Sequence, residues 1–133
     1  MKELKDQDLG QEDFLQLADS VDAEGSVSHG HSHMIFLGIN FYGNDFLLSK
    51  GNGGNAITGR DFIYLLEKYN PSLQWDEKSS EHFFIYSDES LRHAVFYPML
   101  MSLSVRLDEA QDWGTGLSIW EIGQGLDYFF DVL

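Results

Sequence analysis

The chain has 133 residues, 43% of them hydrophobic and 14% aromatic, enough to bury a core and too apolar for a disordered segment. Its 22 acidic and 8 basic side chains leave a net charge of −14, which repels phosphate backbones and anionic membrane surfaces. With no cysteine, disulfides and thiolate zinc sites are excluded, and no apolar run approaches the ~18 residues of a membrane span. Nucleic acid and membrane are therefore not expected partners, whereas a neutral ligand such as an oligosaccharide remains open.

Residues 1–33 differ from the rest. The N-terminus "MKELKDQDLG" lacks the apolar stretch of a signal peptide, so the sequence itself assigns no compartment. The stretch up to Gly25 is strongly acidic, with Phe14, Leu17 and Val21 at spacings a short helix uses. "SVSHGHSH" then reads as a flexible connector. His29, His31 and His33 alternate along it and have donors for one metal ion, but nothing nearby orients them. A linker without metal is the expectation, and no cofactor is expected anywhere. Residues 1–33 form a loosely structured acidic segment, and residues 34–133 form the folded unit.

"MIFLGINFYG" is an apolar, aromatic run ended by Gly43, suited to a buried strand. "LLSKGNGGNA" reads as a loop; its "GNGGN" lacks the Lys-Ser/Thr of a phosphate-binding loop. In "TGRDFIYLLEKYNP", Thr58 and Asp61 have capping-box spacing, and Phe62, Leu65, Leu66 and Tyr69 make one helical stripe before Pro71. "EHFFIYS" and "RHAVFYP", separated by "DESL", predict a hairpin whose aromatics either pack into a core or line a ligand wall. Pro98 is placed to open a second helix, with Leu100, Leu103, Leu107 and Ala110 on one face and Gly114 as its cap. A last strand over Leu117–Ile122 precedes a short helix that buries Leu126 and Phe129 or Phe130. The order βαββαβ plus a tail is, on pattern alone, compatible with an α+β ferredoxin-like sandwich.

Particular residues point elsewhere. "FLGINFYG" has a Gly-x-x-x-Tyr-Gly pattern; "LQWDEKSSEHFFIY", "HAVFYPMLMSLSVRLDEA" and "GTGLSIWEIGQGLDYFFDVL" follow in order. Over residues 34–133 the sequence resembles glycoside hydrolase family 18, the chitinase family, and within it the chitinase-domain-containing, stabilin-interacting chitinase-like branch. The resemblance implies an α/β fold: an incomplete TIM (β/α)8 barrel, its last two parallel strands carrying an inserted β-hairpin and flanking helices. A full barrel takes about 250 residues and binds its ligand at the C-terminal ends of its strands. The two readings differ on one relation, since the ferredoxin-like fold makes the first and last strands antiparallel neighbours.

Family members that cleave chitin are similar in using an Asp-x-x-Asp-x-Asp-x-Glu motif on the fourth strand, whose Glu protonates the glycosidic oxygen. "DSVDAEG" matches only its last two positions, with Asp22 and Glu24; Ser20 and Leu17 occupy the others. About ten residues separate Glu24 from Ile35, too few to lie between a fourth and a seventh strand. No catalytic residue is assigned. For binding, the resemblance implies Trp120 as the floor on which a sugar ring stacks and Tyr42 as a hydroxyl lining the same pocket. Each has core packing as its competing reading. Glu121 sits beside Trp120 at the strand's end, as a mouth residue or a solvated carboxylate. Asn44 replaces the basic residue common at that position in active chitinases. The expected function is non-catalytic, chitooligosaccharide-type binding. The alternatives are a portion of a longer active glycosidase and a structural piece that self-associates or complements another through bare strand edges. The family suggests a secreted or lysosomal setting.

Overall fold

The computed structural model describes residues 30–49 and 53–133. The acidic stretch, "DSVDAEG" and His29 lie outside the described residues. Two strands answer the question left open above. β1 (Phe36–Asn40) and β7 (Gly116–Trp120) pair in parallel, with Phe36 opposite Gly116 and Asn40 opposite Trp120. Parallel pairing rules out the ferredoxin-like alternative and agrees with the partial barrel. Such strands need a long crossover between them, and here it contains everything from residue 41 to residue 115. The remaining strands are β2 (Gly43–Leu47), β3 (Asn55–Ile57), β4 (Gln74–Asp76), β5 (Glu81–Asp88) and β6 (Leu91–Tyr97). The two α-helices are α1 (Gly59–Tyr69) and α2 (Leu100–Trp113).

The β1–β7 ribbon has two unlike faces. Ile39, and Phe41 just beyond β1, are fully buried, and Leu117 and Ile119 pack against the same core. On the opposite face Phe36 and Trp120 are 66% and 64% exposed. Neither outer flank of the ribbon has a strand partner among the described residues.

The expected hairpin is the centre of something larger. β5 and β6 pair antiparallel, but β2, β3 and β4 join them in a five-stranded sheet of order β3-β2-β6-β5-β4. "MIFLGINFYG" is thus not one strand reaching Tyr42: the chain turns at Phe41 and Tyr42 and starts a new strand at Gly43. That junction requires glycine, because a Cβ at Gly43 would lie 2.4 Å from the Phe96 carbonyl oxygen and 2.5 Å from the Tyr97 ring. The glycine-rich stretch is correspondingly shorter than expected, since Leu47 closes β2 and Asn55 opens β3.

One face of this sheet packs on α1. Phe84, Val95 and Tyr97 are essentially inaccessible, and Phe62 of α1 stacks on Tyr97 with centroids 4.4 Å apart. Tyr97 in turn neighbours Phe129, which meets Phe41 edge-on at 5.1 Å. This aromatic seam welds ribbon, sheet, α1 and C-terminal segment into one core. Beside it, Asp45 accepts a hydrogen bond from Tyr86 Oη at 2.7 Å and lies 2.9 Å from His93 Nδ1, so one carboxylate ties β2, β5 and β6. Burial, with the Asp45 hydrogen bond second, pushes the Tyr86 hydroxyl upward and keeps it a neutral donor. On the other face Phe83 stacks on Phe96 at 5.2 Å and Phe46 meets Phe96 edge-on at 6.0 Å; all three are half-buried.

The helices follow their signals with small shifts. In α1 the Thr58 hydroxyl accepts from the Asp61 N–H at 3.3 Å, and the Asp61 carboxylate accepts from the Thr58 N–H at 2.9 Å. Asn70, left-handed at φ 42°, ends the helix before Pro71. α2 starts at Leu100 rather than Pro98; Met99 caps it, and its N–H donates to Ser102 Oγ at 2.8 Å. Leu103 and Ala110 are buried as expected, whereas Leu100 is exposed. Gly114 caps α2 at φ 65°. Arg106 pins the helix to β5 through Glu81 at 2.6 Å. The last strand stops at Trp120, and the closing helix is a 3-10 helix over Asp127–Val132 that buries Phe129 and leaves Phe130 47% exposed.

Two outcomes test this account. Thr58→Ala should lower stability by about 1 kcal/mol in urea denaturation near neutral pH. The Thr58 backbone N–H, then its hydroxyl, hold the Asp61 carboxyl below its ordinary value. The folded-state pKa is therefore the lower one, so the contribution is present above the carboxylate range and is lost as pH falls through the depressed value. The gap between variant and wild type should accordingly narrow below about pH 4. At the β5–β6 turn, Glu89 and Ser90 both take positive φ, 45° and 74°. A two-residue hairpin loop of this kind favours Asn-Gly, so the double change Glu89→Asn, Ser90→Gly should raise stability by about 1 kcal/mol. Unchanged or lower stability in the same urea assay would contradict the turn assignment.

Candidate saccharide site at the strand ends

The parallel register brings the C-terminal ends of β1 and β7 side by side. In barrels of parallel strands this is the end at which ligands are bound, because loops leaving it are free to vary while the strands stay rigid. Trp120 is the last residue of β7, and its side chain stands clear of the core. Its carbonyl accepts the Phe41 N–H at 3.0 Å, so the ribbon pairing continues one residue past β1. Alternation puts Trp120 opposite in direction to Ile119, which packs inward.

Directly across from Trp120 is Asn40, on the same ribbon face. The Asn40 Nδ2 donates to the Tyr42 carbonyl at 2.7 Å, closing the turn between β1 and β2. Tyr42 is half-buried in that turn. Glu121 follows Trp120 in the left-handed conformation, φ 61°, where a residue other than glycine is strained. Its carbonyl accepts the Gln124 N–H at 2.9 Å, and its exposed carboxylate lies 3.4 Å from Gln124 Nε2. An exposed carboxylate with an amide neighbour offers hydrogen-bond acceptance. Asn44 lies one residue into β2, opposite Ala56 and Phe96, and belongs to the five-stranded sheet rather than to the ribbon end. Thus Trp120, Glu121 and Tyr42 gather at one end, and Asn44 stands on the neighbouring element.

The end is built on a firm base. Tyr97 Oη donates to the Gln124 carbonyl at 2.9 Å and lies 3.3 Å from the Phe41 carbonyl, bridging the segments that follow both ribbon strands. Burial raises the Tyr97 hydroxyl above its ordinary range, so it remains a donor. Gly59 sits where a Cβ would lie 2.8 Å from both Tyr97 Oη and a Leu126 methyl, so α1 also touches this joint. Asn40 and Tyr97 were not among the residues selected from sequence. Asn40 carries a readable signal, a lone polar residue at the end of an otherwise apolar strand, two positions before Tyr42. Tyr97 carries none, because its partners are carbonyls set by the fold.

Other features lie apart. His31 caps the short 3-10 turn Ser32–Met34 and His33 lies within it, and among the described residues no three His, Asp or Glu side chains gather as a metal site. A shallow groove between α1 and the C-terminal segment is lined by Arg60, Ile63, Tyr64, Glu67, Leu126 and Asp127, and none of the sequence-selected residues borders it.

Comparison with known proteins agrees with this architecture. No protein-family model matches the sequence. The cortical fragment-lytic enzyme of Bacillus subtilis (strain 168) is 29% identical over 105 residues, covering 75% of this chain and 24% of that protein. The crystal structure of the spore cortex-lytic enzyme SleL from Bacillus megaterium QM B1551 matches with a TM-score of 0.68 and 27% identity, over 76% of this chain and 25% of that one. A glycoside hydrolase family 18 N-acetylglucosaminidase from Paenibacillus barengoltzii matches with a TM-score of 0.58 at 19% identity, over 77% of this chain and 33% of that one. The chain therefore spans about a quarter of the length of the first two. In fold, this chain is similar to the C-terminal portion of a glycoside hydrolase family 18 barrel, as a partial (β/α)8 barrel.

Proposed function

We propose that this chain forms one side of a saccharide-binding mouth that takes oligomers of N-acetylglucosamine on the face of Trp120, without itself supplying a general acid. One observation carries the reading: an indole 64% exposed at the shared C-terminal ends of two parallel strands. The apolar C–H face of a pyranose ring lies well on an indole, and the indole N–H donates to a hydroxyl. Of the residues that follow the two strands, Tyr42 offers such a ring a hydroxyl donor and Glu121 a carboxylate acceptor. The names of the relatives, cortex-lytic enzymes and an N-acetylglucosaminidase, support a carbohydrate partner in general. That this sequence does not carry the acid motif supports binding without cleavage by these residues.

A second reading is favoured by length. Because the chain spans about a quarter of its cortex-lytic relatives, the same mouth would serve as the aromatic floor of an active glycosidase whose acid comes from barrel strands outside this sequence. In that case Trp120 plays the same part and only the source of the proton differs.

Titrating the full chain with N-acetylglucosamine tetramer tests both. The Trp120 indole N–H resonance should shift, and Trp120→Ala should weaken binding at least tenfold while leaving the far-ultraviolet circular dichroism unchanged, because the side chain is exposed. An unmoved indole resonance at millimolar sugar would end the saccharide reading for this chain.

A further inference from the structure

Asn40 is the last residue of β1, and its place in the parallel register is directly opposite Trp120. The two therefore share one face of the ribbon, the face turned away from buried Ile39 and Phe41. The Asn40 amide has one contact, Nδ2 to the Tyr42 carbonyl at 2.7 Å. A carbonyl oxygen only accepts, so this contact fixes which way round the amide stands. Its Nδ2 is committed to the turn, and its Oδ1 points away from that bond. Among the described residues Oδ1 has no hydrogen-bond partner, and it is not among the buried polar atoms left unpaired. It is an open acceptor.

The bond also fixes Tyr42. The Phe41 N–H is tied to the Trp120 carbonyl on one side, and the Tyr42 carbonyl is tied to Asn40 on the other. Two successive backbone groups are thereby anchored to the two residues that end the ribbon. The Tyr42 backbone is fixed relative to the end of the ribbon.

We infer that Asn40 is a positioning and specificity residue of the mouth: its Nδ2 holds the Tyr42 turn against Trp120, and its Oδ1 accepts a hydrogen bond from an N–H or O–H of the ring stacked on the indole. The inference rests on the saccharide reading above and deepens it. An aromatic floor alone accepts any flat apolar face, whereas an acceptor set beside it prefers a ring carrying a donor at that height, such as an acetamido N–H or an equatorial hydroxyl. The strand supplies rigidity, since Asn40 is fixed by backbone pairing rather than by a loop.

The test is a titration of the full chain with N-acetylglucosamine tetramer, following the Trp120 indole N–H and the Asn40 side-chain carbonyl carbon together by NMR. Both resonances should move with the same apparent Kd, and Asn40→Ala should weaken that Kd roughly tenfold, the loss expected for one hydrogen bond. A purely structural Asn40 would leave its own carbonyl carbon unmoved by sugar. If the indole shifts while the Asn40 carbonyl carbon stays still, the inference falls and the saccharide reading survives. If neither moves, both fall. Should Asn40→Ala fail to fold, the wild-type titration alone decides, because it needs no variant.

Discussion

Everything in this molecule depends on five residues lying parallel to five others. The register from Phe36–Gly116 to Asn40–Trp120 turns two segments separated by most of the chain into one ribbon with a shared C-terminal end. Parallel pairing cannot be closed by a tight turn, so the intervening chain must leave, fold and return. Here the excursion is itself a small α+β unit, the five-stranded sheet with α1, followed by α2. An aromatic joint ties the unit back to the ribbon. Tyr97 reaches from the end of β6 to the carbonyls of Phe41 and Gln124, and Phe62, Phe129 and Phe41 surround its ring or the rings next to it. Aromatic residues suit such a joint, since each buries a large area with few rotatable bonds and Tyr brings a donor for a carbonyl that would otherwise be buried unpaired.

That joint explains how the ribbon end can be both open and rigid. Trp120 and Glu121 project from backbone already committed to hydrogen bonds on both sides, with the Trp120 carbonyl held by Phe41 and the Glu121 carbonyl by Gln124. The left-handed Glu121 is where the strand stops and the chain folds back towards the core. A non-glycine residue there costs of order 1 kcal/mol, offset by the contacts it permits further on. Alternation along β7 turns the indole outward, opposite to inward-packing Ile119. Side-chain exposure at this point is produced by backbone geometry, and binding chemistry is what that exposure makes available.

Much of this was legible in the residues, for physical reasons that differ by element. The capping box of α1 and the glycine cap of α2 are local, since their partners lie within three or four residues, and both read true. The seven-residue run of β6 and its partner β5 read as strands because aromatics and β-branched residues dominate them. β2 did not, because "GNDFL" mixes Gly, Asn and Asp with two apolar residues; its strand conformation comes from pairing with β6 and from the Asp45 bridge to Tyr86 and His93. β3 and β4 are three residues each and exist only as edges on a sheet formed by others. The parallel relation of β1 and β7 was foreseen only through the family resemblance, because periodicity carries no information on strand direction. Trp120 and Tyr42 came from the same source; Asn40 stood out only as a lone polar residue at a strand's end, and Tyr97 had no signal because its partners are carbonyls set by the fold.

Flanks of the ribbon that carry no strand partner among the described residues are an electrostatic as well as a hydrogen-bonding matter. Among the described residues, the rows of amide and carbonyl groups along these flanks have no strand partner and lie beside an exposed Phe36, the kind of edge to which an extended strand adds. Against this stands an excess of fourteen negative charges, which makes every approach of like molecules repulsive at long range. The two effects act over different distances: mobile ions blunt the repulsion beyond about 10 Å at 0.1 M salt, while the hydrogen-bonding template works only at contact and is hardly altered.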